Sequence, residues 1–100
     1  MTYRNRKLLD VAHTAPCMFQ IHGVCESGLN PSVPCHSNMQ RHGRGFSHKS
    51  ADAYAPAGCT ACHAWYDTGK ASREEKEHAF ILALERWWLW LLENERVRVA

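Results

Sequence analysis

No apolar stretch in this 100-residue chain is long enough to cross a bilayer. No unbroken run is longer than that of residues 87–92, which falls far short of the roughly 20 residues a spanning helix needs. A secretory signal is not expected either, because Asp10 and His13 interrupt the short apolar patch Leu8, Leu9 and Val11 that follows Arg4, Arg6 and Lys7. There are no internal repeats and no low-complexity tract. Charge of one sign is scarce: 12 basic and 10 acidic residues leave a net charge of +2, so no global basic field announces a nucleic acid. An even set of cysteines is lacking too, and the odd count of 5 argues against a disulfide framework. These absences lead us to expect a soluble, cytosolic chain with no membrane partner, whose clustered thiols stay reduced and bind metal.

A chain of this length is expected to form one domain over residues 1–100, with a modest core and a metal to supplement it. Residues 1–12 read as a basic N-terminal arm and residues 13–71 as a metal-bound core. A turn at Thr14, Ala15 and Pro16 leads into residues 17–21, whose alternation suits a strand. Gly23, and then Gly28, Asn30 and Pro31, mark two turns. Residues 32–36 form a second short extended piece, which Pro34 places at a sheet edge or strand start. Residues 37–51 are polar, punctuated by glycine and rich in Arg, His and Lys, and read as a long surface loop.

The last element, residues 72–96, is the clearest. Ser72 and Glu75 form a capping box, and acidic residues fill the first turn. Phe80, Leu84, Trp87, Trp88 and Leu91 then share one stripe at helical spacing. The helix is predicted to run to about Glu95, with Arg96 and Arg98 after its end. Leu82 and Leu89 lie on the opposite face and Trp90 projects in a third direction, which suits either a second copy of the chain as partner or a few singly exposed hydrophobes.

The pentapeptide Cys59-Thr-Ala-Cys62-His63 carries the chemistry. It fits a c-type haem attachment site, half of a structural zinc site, or the end of a nuclease metal motif. Haem goes with export in most settings, and it would leave Cys17, Cys25 and Cys35 without a task. Zinc uses more of the chain: Cys59 and Cys62 form a tight pair, while Cys17 and Cys25 form a looser one around a glycine-containing turn. The alternative for Cys17 and Cys25 is that they are small buried hydrophobes. Cys35 could replace one of the four ligands or lie buried. If four thiolates saturate a zinc, His36 and His63 are available to a second site. Otherwise His63 packs beside the zinc and His36 sits exposed in the loop.

The series Cys17-x-x-x-Ile21-x-Gly23-Val24-Cys25, His36, Lys49-x-x-Asp52 and Cys59-x-x-Cys62-His63 resembles the small YbcO-like phage and prophage proteins classed as nucleases. They are regarded as relatives of the His-Asn-His (ββα-metal) endonucleases. The resemblance spans residues 6–67, with Ile-x-Gly-Val-Cys and Cys-x-x-Cys-His its most specific parts. It implies an α+β fold: a small zinc-stapled ββα-metal domain with a long C-terminal helix. Cys17, Cys25, Cys59 and Cys62 would hold structural Zn²⁺. His36 would be the general base, a role that suits an imidazole because it ordinarily titrates near neutral pH. His63 would ligate a catalytic Mg²⁺ or Mn²⁺. Asp52 falls near the Asn that orients the catalytic imidazole in such nucleases. The chain departs from the pattern at Cys35, where many relatives carry a metal-binding Asp, and at Asp52, which is not Asn. Asp67 could supply a carboxylate, though Asp67-Thr-Gly69 reads more simply as a solvated turn.

Substrate contacts follow from charge. Arg41, Arg44 and Lys49 could grip phosphates beside the site, with Arg4, Arg6 and Lys7 extending the track, or all could be solvated charges. The resulting expectation is a metal-dependent DNA endonuclease encoded by a phage or prophage and acting in the bacterial cytoplasm. The alternative is a non-catalytic zinc module docking on DNA or on a phage or host protein.

Overall fold

The structure is a computed structural model and describes residues 3–26, 31–45 and 48–97. The expected turn residues Gly28 and Asn30, and Arg98 after the last helix, lie outside them. The elements are helix α1 (Arg6–Ala12), strand β1 (Ser32–Pro34), 3₁₀ turns at Gln40–His42 and Asp52–Tyr54, strand β2 (Ala57–Cys59), helix α2 (Thr60–Thr68) and helix α3 (Arg73–Glu93). This is a small α+β arrangement whose strands are edge elements of a two-stranded sheet.

The N-terminal arm is more ordered than its charge suggests. Asn5 caps α1 by accepting the Leu8 N–H at 3.2 Å, and Leu8 and Ala12, one helical turn apart, enter the core. Arg6 and Lys7 stay on its exposed side.

Residues 17–21 are not a strand. Cys17, Met18 and Phe19 are all buried, so no alternation survives, and Gln20 turns into the left-handed region at φ 53°. Met18 N–H donates to Ala57 O at 2.9 Å. The Met18 and Phe19 carbonyls instead accept Arg86 Nη1 of α3 at 2.8 and 3.2 Å. A side chain thus takes acceptors that a strand would offer to a neighbour.

Strands β1 and β2 run antiparallel with Ser32 opposite Cys59, Val33 opposite Gly58 and Pro34 opposite Ala57. Two backbone bonds continue the pairing past Pro34: Cys35 N to Pro56 O at 2.9 Å and Ser37 N to Tyr54 O at 3.0 Å. His36 is therefore held at the mouth of a paired ribbon. Gly58 is needed where this ribbon crosses the core, because a Cβ there would stand 2.8 Å from Phe19 Cδ1 and 2.9 Å from Cys35 Sγ.

The connection between the strands is not a plain surface loop. Ser37, Met39, His42 and Ser50 are buried in it. His42 stacks on Tyr54 with ring centroids 4.1 Å apart, and its Nδ1 lies 2.6 Å from Ser37 Oγ. Burial holds the His42 pKa below its ordinary value, with Arg41 adding to the effect. A neutral, hydrogen-bonded imidazole is thus the anchor around which the polar segment folds.

Helix α3 starts where the capping box puts it: Ser72 Oγ accepts the Glu75 N–H at 3.1 Å. It ends at Glu93, close to the expected Glu95. Phe80, Ala83, Trp87 and Leu91 are fully buried, whereas Leu84 and Trp88 flank the stripe half-buried. Each large side chain buried there contributes about 1.5–3 kcal/mol of transfer free energy. Leu82 and Leu89 are exposed as expected. Trp90 differs, because it stacks on Trp87 at 5.6 Å and roofs the core. No helix among the described residues is long and apolar enough to cross a membrane.

Candidate metal centre and cleft

Four of the five thiols converge. The Sγ atoms of Cys17, Cys25, Cys59 and Cys62 lie within 4.8 Å of one another. Folding brings together two unlike pieces of chain. Cys17 and Cys25 flank a tight turn in which Val24 and Cys25 both donate to Ile21 O, at 3.0 and 2.9 Å, and Gly23 takes φ 77°. Cys59 ends β2 and caps α2, which places Cys62 one turn along the helix.

The donor set fits a tetrahedral metal. Sulfurs about 2.3 Å from a zinc ion stand about 3.8 Å apart, and Cys59 Sγ is 4.0 Å from Cys25 Sγ. Burial would raise the Cys59 pKa, but the N–H groups of Glu26 and Cys62, directed at its Sγ from 3.3 and 3.5 Å, outweigh burial with the neighbouring thiols and lower it. The thiolate is the form that binds metal. The cluster joins Cys59 and Cys62 to two further thiols, which the haem alternative would leave without a task. Four sulfurs of this chain can therefore hold a metal ion such as zinc.

Cys35 takes the second of its two expected places. It is fully buried, its Sγ donates to Val33 O at 3.4 Å, and it is not in the tetrad. Burial, reinforced by the nearby Cys17, Asp67 and Cys59, pushes its thiol far up.

A second constellation lies on the other side of the ribbon mouth. His36 Nε2 is 2.9 Å from Asp52 Oδ1, and their side chains are 15% and 4% exposed. Burial alone would raise the Asp52 pKa. Hydrogen bonds from His36, the Asn5 N–H and Arg4 outweigh it and hold the carboxyl below its usual value. His36 opens on a cleft of about 570 Å³, lined also by Pro34, Asn38, Arg44, Lys49, His63 and Asp67. Asp67 is not a turn residue. It occupies the last part of α2, and its Oδ2 lies 3.1 Å from His63 Nε2. The i,i+4 spacing of these two residues was the available signal for that contact.

The basic residues separate. Arg44 and Lys49 reach the cleft. Arg41 lines a separate hollow with Met39, Gln40, Arg73 and Glu77. Arg6 faces Asp10 at 3.6 Å, and Lys7 borders an apolar groove with Leu8, Trp88 and Leu92. Arg4 turns inward to Ser50 O, Lys49 O and Asp52. Asn38 is a cleft residue that no pattern announced. Tyr66 Oη of α2 accepts its N–H at 2.9 Å, and its side-chain amide donates to Asp67 at 3.4 Å.

Fold and site thus define a small α+β protein with four cysteines that could hold a metal ion and a histidine–carboxylate pair at the edge of a cleft. The family model described as "Putative nuclease YbcO" matches residues 6–87, and the chain belongs to that family. It is also similar to a solved structure described as that of "a putative bacteriophage protein from Escherichia coli str. K-12 substr. MG1655". The two share 21% sequence identity and a TM-score of 0.66 over 87% of this chain and 98% of the other, which shows a common fold. No curated protein matches the chain.

Proposed function

We propose that this chain is a metal-dependent DNA endonuclease of the ββα-metal type, with a zinc on its four cysteines and a second divalent ion, Mg²⁺ or Mn²⁺, in the cleft. The observation that carries the reading is the His36–Asp52 contact of 2.9 Å beside Arg44, Lys49 and His63. Membership of a family described as nucleases supports it. So does the element order β1, β2, α2, with His36 just beyond the first strand and His63 in the helix.

Asp52 accepts a hydrogen bond from His36 Nε2, which leaves the ring's lone pair on Nδ1. Nδ1 is then the atom that takes a proton from the attacking water. Arg44 and Lys49 balance the charge of the phosphate at the cleft and position the strand without reading its sequence. His63 and Asp67 would hold the second ion: a carboxylate oxygen suits a hard cation, and Asp67 compensates for the absence of an Asp before His36. When bound, that ion supplies charge stabilisation at the scissile phosphate and the leaving oxygen. Cys35, turned into the core, takes no part.

Nicking of supercoiled plasmid with Mg²⁺ or Mn²⁺ tests the proposal. His36→Ala is expected to lower the rate by about 10²–10⁴-fold. A wild-type chain that never nicks, or a His36→Ala chain that nicks equally well, would overturn it in favour of a non-catalytic zinc module.

A further inference from the structure

The carboxylate that holds His36 is itself held by the start of the chain. Asp52 lies at the first position of a three-residue 3₁₀ turn, and its carboxylate partners come from distant parts of the chain. Tyr3 O accepts the Asp52 N–H at 2.9 Å, and the Asn5 N–H donates to Asp52 Oδ2 at 2.7 Å. Arg4 Nη1 donates to Asp52 Oδ1 at 3.1 Å, the same oxygen that His36 Nε2 approaches. The guanidinium also reaches Ser50 O from Nη1 at 2.6 Å and Lys49 O from Nη2 at 2.9 Å. On the far side, Trp88 Nε1 of α3 donates to Ala53 O at 3.0 Å.

The energetics point the same way. The Asp52 side chain is 4% exposed and that of Arg4 is 46% exposed. A carboxylate taken out of water needs a compensating charge and full hydrogen bonding. Arg4 supplies both while its outer edge stays in solvent. Its planar fork spans two carbonyls and a carboxylate from two separate nitrogens, a fixed geometry that the single-atom ammonium of lysine lacks.

We infer that Arg4 is a positioning residue of the candidate active site: it clamps Asp52, and through Asp52 the ring of His36, and its guanidinium is not a phosphate contact. The inference rests on the reading of His36 as general base, yet the clamp can be tested apart from that reading.

The test uses the full chain with metal, as wild type, Arg4→Gln, Arg4→Lys and Arg44→Gln. Arg4→Gln is expected to lower kcat for plasmid nicking by about 10–100-fold, the usual effect of losing a partner that orients a functional group. KM and the salt dependence of DNA binding should stay at wild-type values. Arg4→Lys, which keeps a charge beside Asp52 without the fork, should fall between them. Arg44→Gln should lower the slope of log affinity against log salt by about 1. If Arg4→Gln lowers that slope and raises KM while kcat is kept, Arg4 is a phosphate contact and the inference is wrong.

Nitrogen NMR of the His36 ring reads the clamp without catalysis. Wild type should hold the Nε2–H tautomer, and Arg4→Gln should mix the two tautomers. An unchanged ring signal in a folded Arg4→Gln chain overturns the clamp. Should Arg4→Gln fail to fold, Arg4→Lys is read by the same criteria. A wild type that never nicks removes the nuclease reading, and the ring signal then decides the clamp alone.

Discussion

Replacing Cys59 with alanine is expected to empty the metal centre and bring the domain to its folding threshold. Cys59 Sγ is one of four sulfurs within 4.8 Å, is fully buried, and caps α2 by accepting the Cys62 N–H. Two losses follow from that geometry. A structural zinc site contributes on the order of 10 kcal/mol of apparent free energy, against a net stability of about 5–15 kcal/mol for a whole domain. The Glu26 and Cys62 N–H groups also lose their sulfur acceptor, which costs about 1–3 kcal/mol for each donor that stays buried. Together these are as large as the net stability. Metal analysis with thermal unfolding, with and without a chelator, reads the outcome. Wild type should carry one zinc per chain and melt lower when chelated. Cys59→Ala should carry less than one and show no response to chelator. Cys35→Ala is the control, since the fifth thiol lies outside the tetrad and its loss should leave the metal in place. A Cys59→Ala chain that keeps its metal and the wild-type melting temperature would refute the ligand assignment.

Two further outcomes are expected from the packing around the cleft. Asp52→Asn should alter the acid limb of stability. The folded Asp52 carboxyl titrates below its ordinary value despite burial, because of His36, Asn5 and Arg4. The stabilisation it provides is therefore complete above about pH 4 and is lost as pH falls through the lower folded value. Thermal melts taken between about pH 2 and pH 6 should show a smaller acid loss in Asp52→Asn than in wild type, and parallel curves would refute the account. Gly58→Ala places a Cβ 2.8 Å from the Phe19 ring and 2.9 Å from Cys35 Sγ. Such overpacking costs about 1–3 kcal/mol, readable as a lower melting temperature. An unchanged Tm would show that this wall yields freely.

Short-range features were legible in the residue order. The capping box at Ser72 starts α3, and the 3.6-residue stripe picks out Phe80, Trp87 and Leu91 as core. Both signals are local, because capping and helical periodicity involve residues within a turn or two of each other. Cys59 and Cys62 were readable as a pair for the same reason. The strand expected at residues 17–21 failed because alternation says nothing about who takes the carbonyls. Arg86, far along the chain, takes those of Met18 and Phe19. The loop at 37–51 looked solvated because its composition is polar, yet His42 is buried through its stacking on Tyr54 and its hydrogen bond to Ser37.

By itself, the sequence determined the long capped helix, the thiols available to a metal and, through its motifs, the family. Only the tertiary structure decided which side chains meet. It assembled Cys17, Cys25, Cys59 and Cys62 and left Cys35 in the core. It brought His36 to Asp52, and it turned Arg4 from a free surface charge into the brace behind that carboxylate. It also lifted Asp67 out of a supposed turn and set it against His63. The physical reason is the distance along the chain between buried partners. A buried carboxylate or imidazole must find its partner wherever packing places one. The partners His36 and Arg4 of Asp52, sixteen and forty-eight positions away, leave no periodic mark on the chain, whereas His63 and Asp67 needed only the helix that sets them one turn apart.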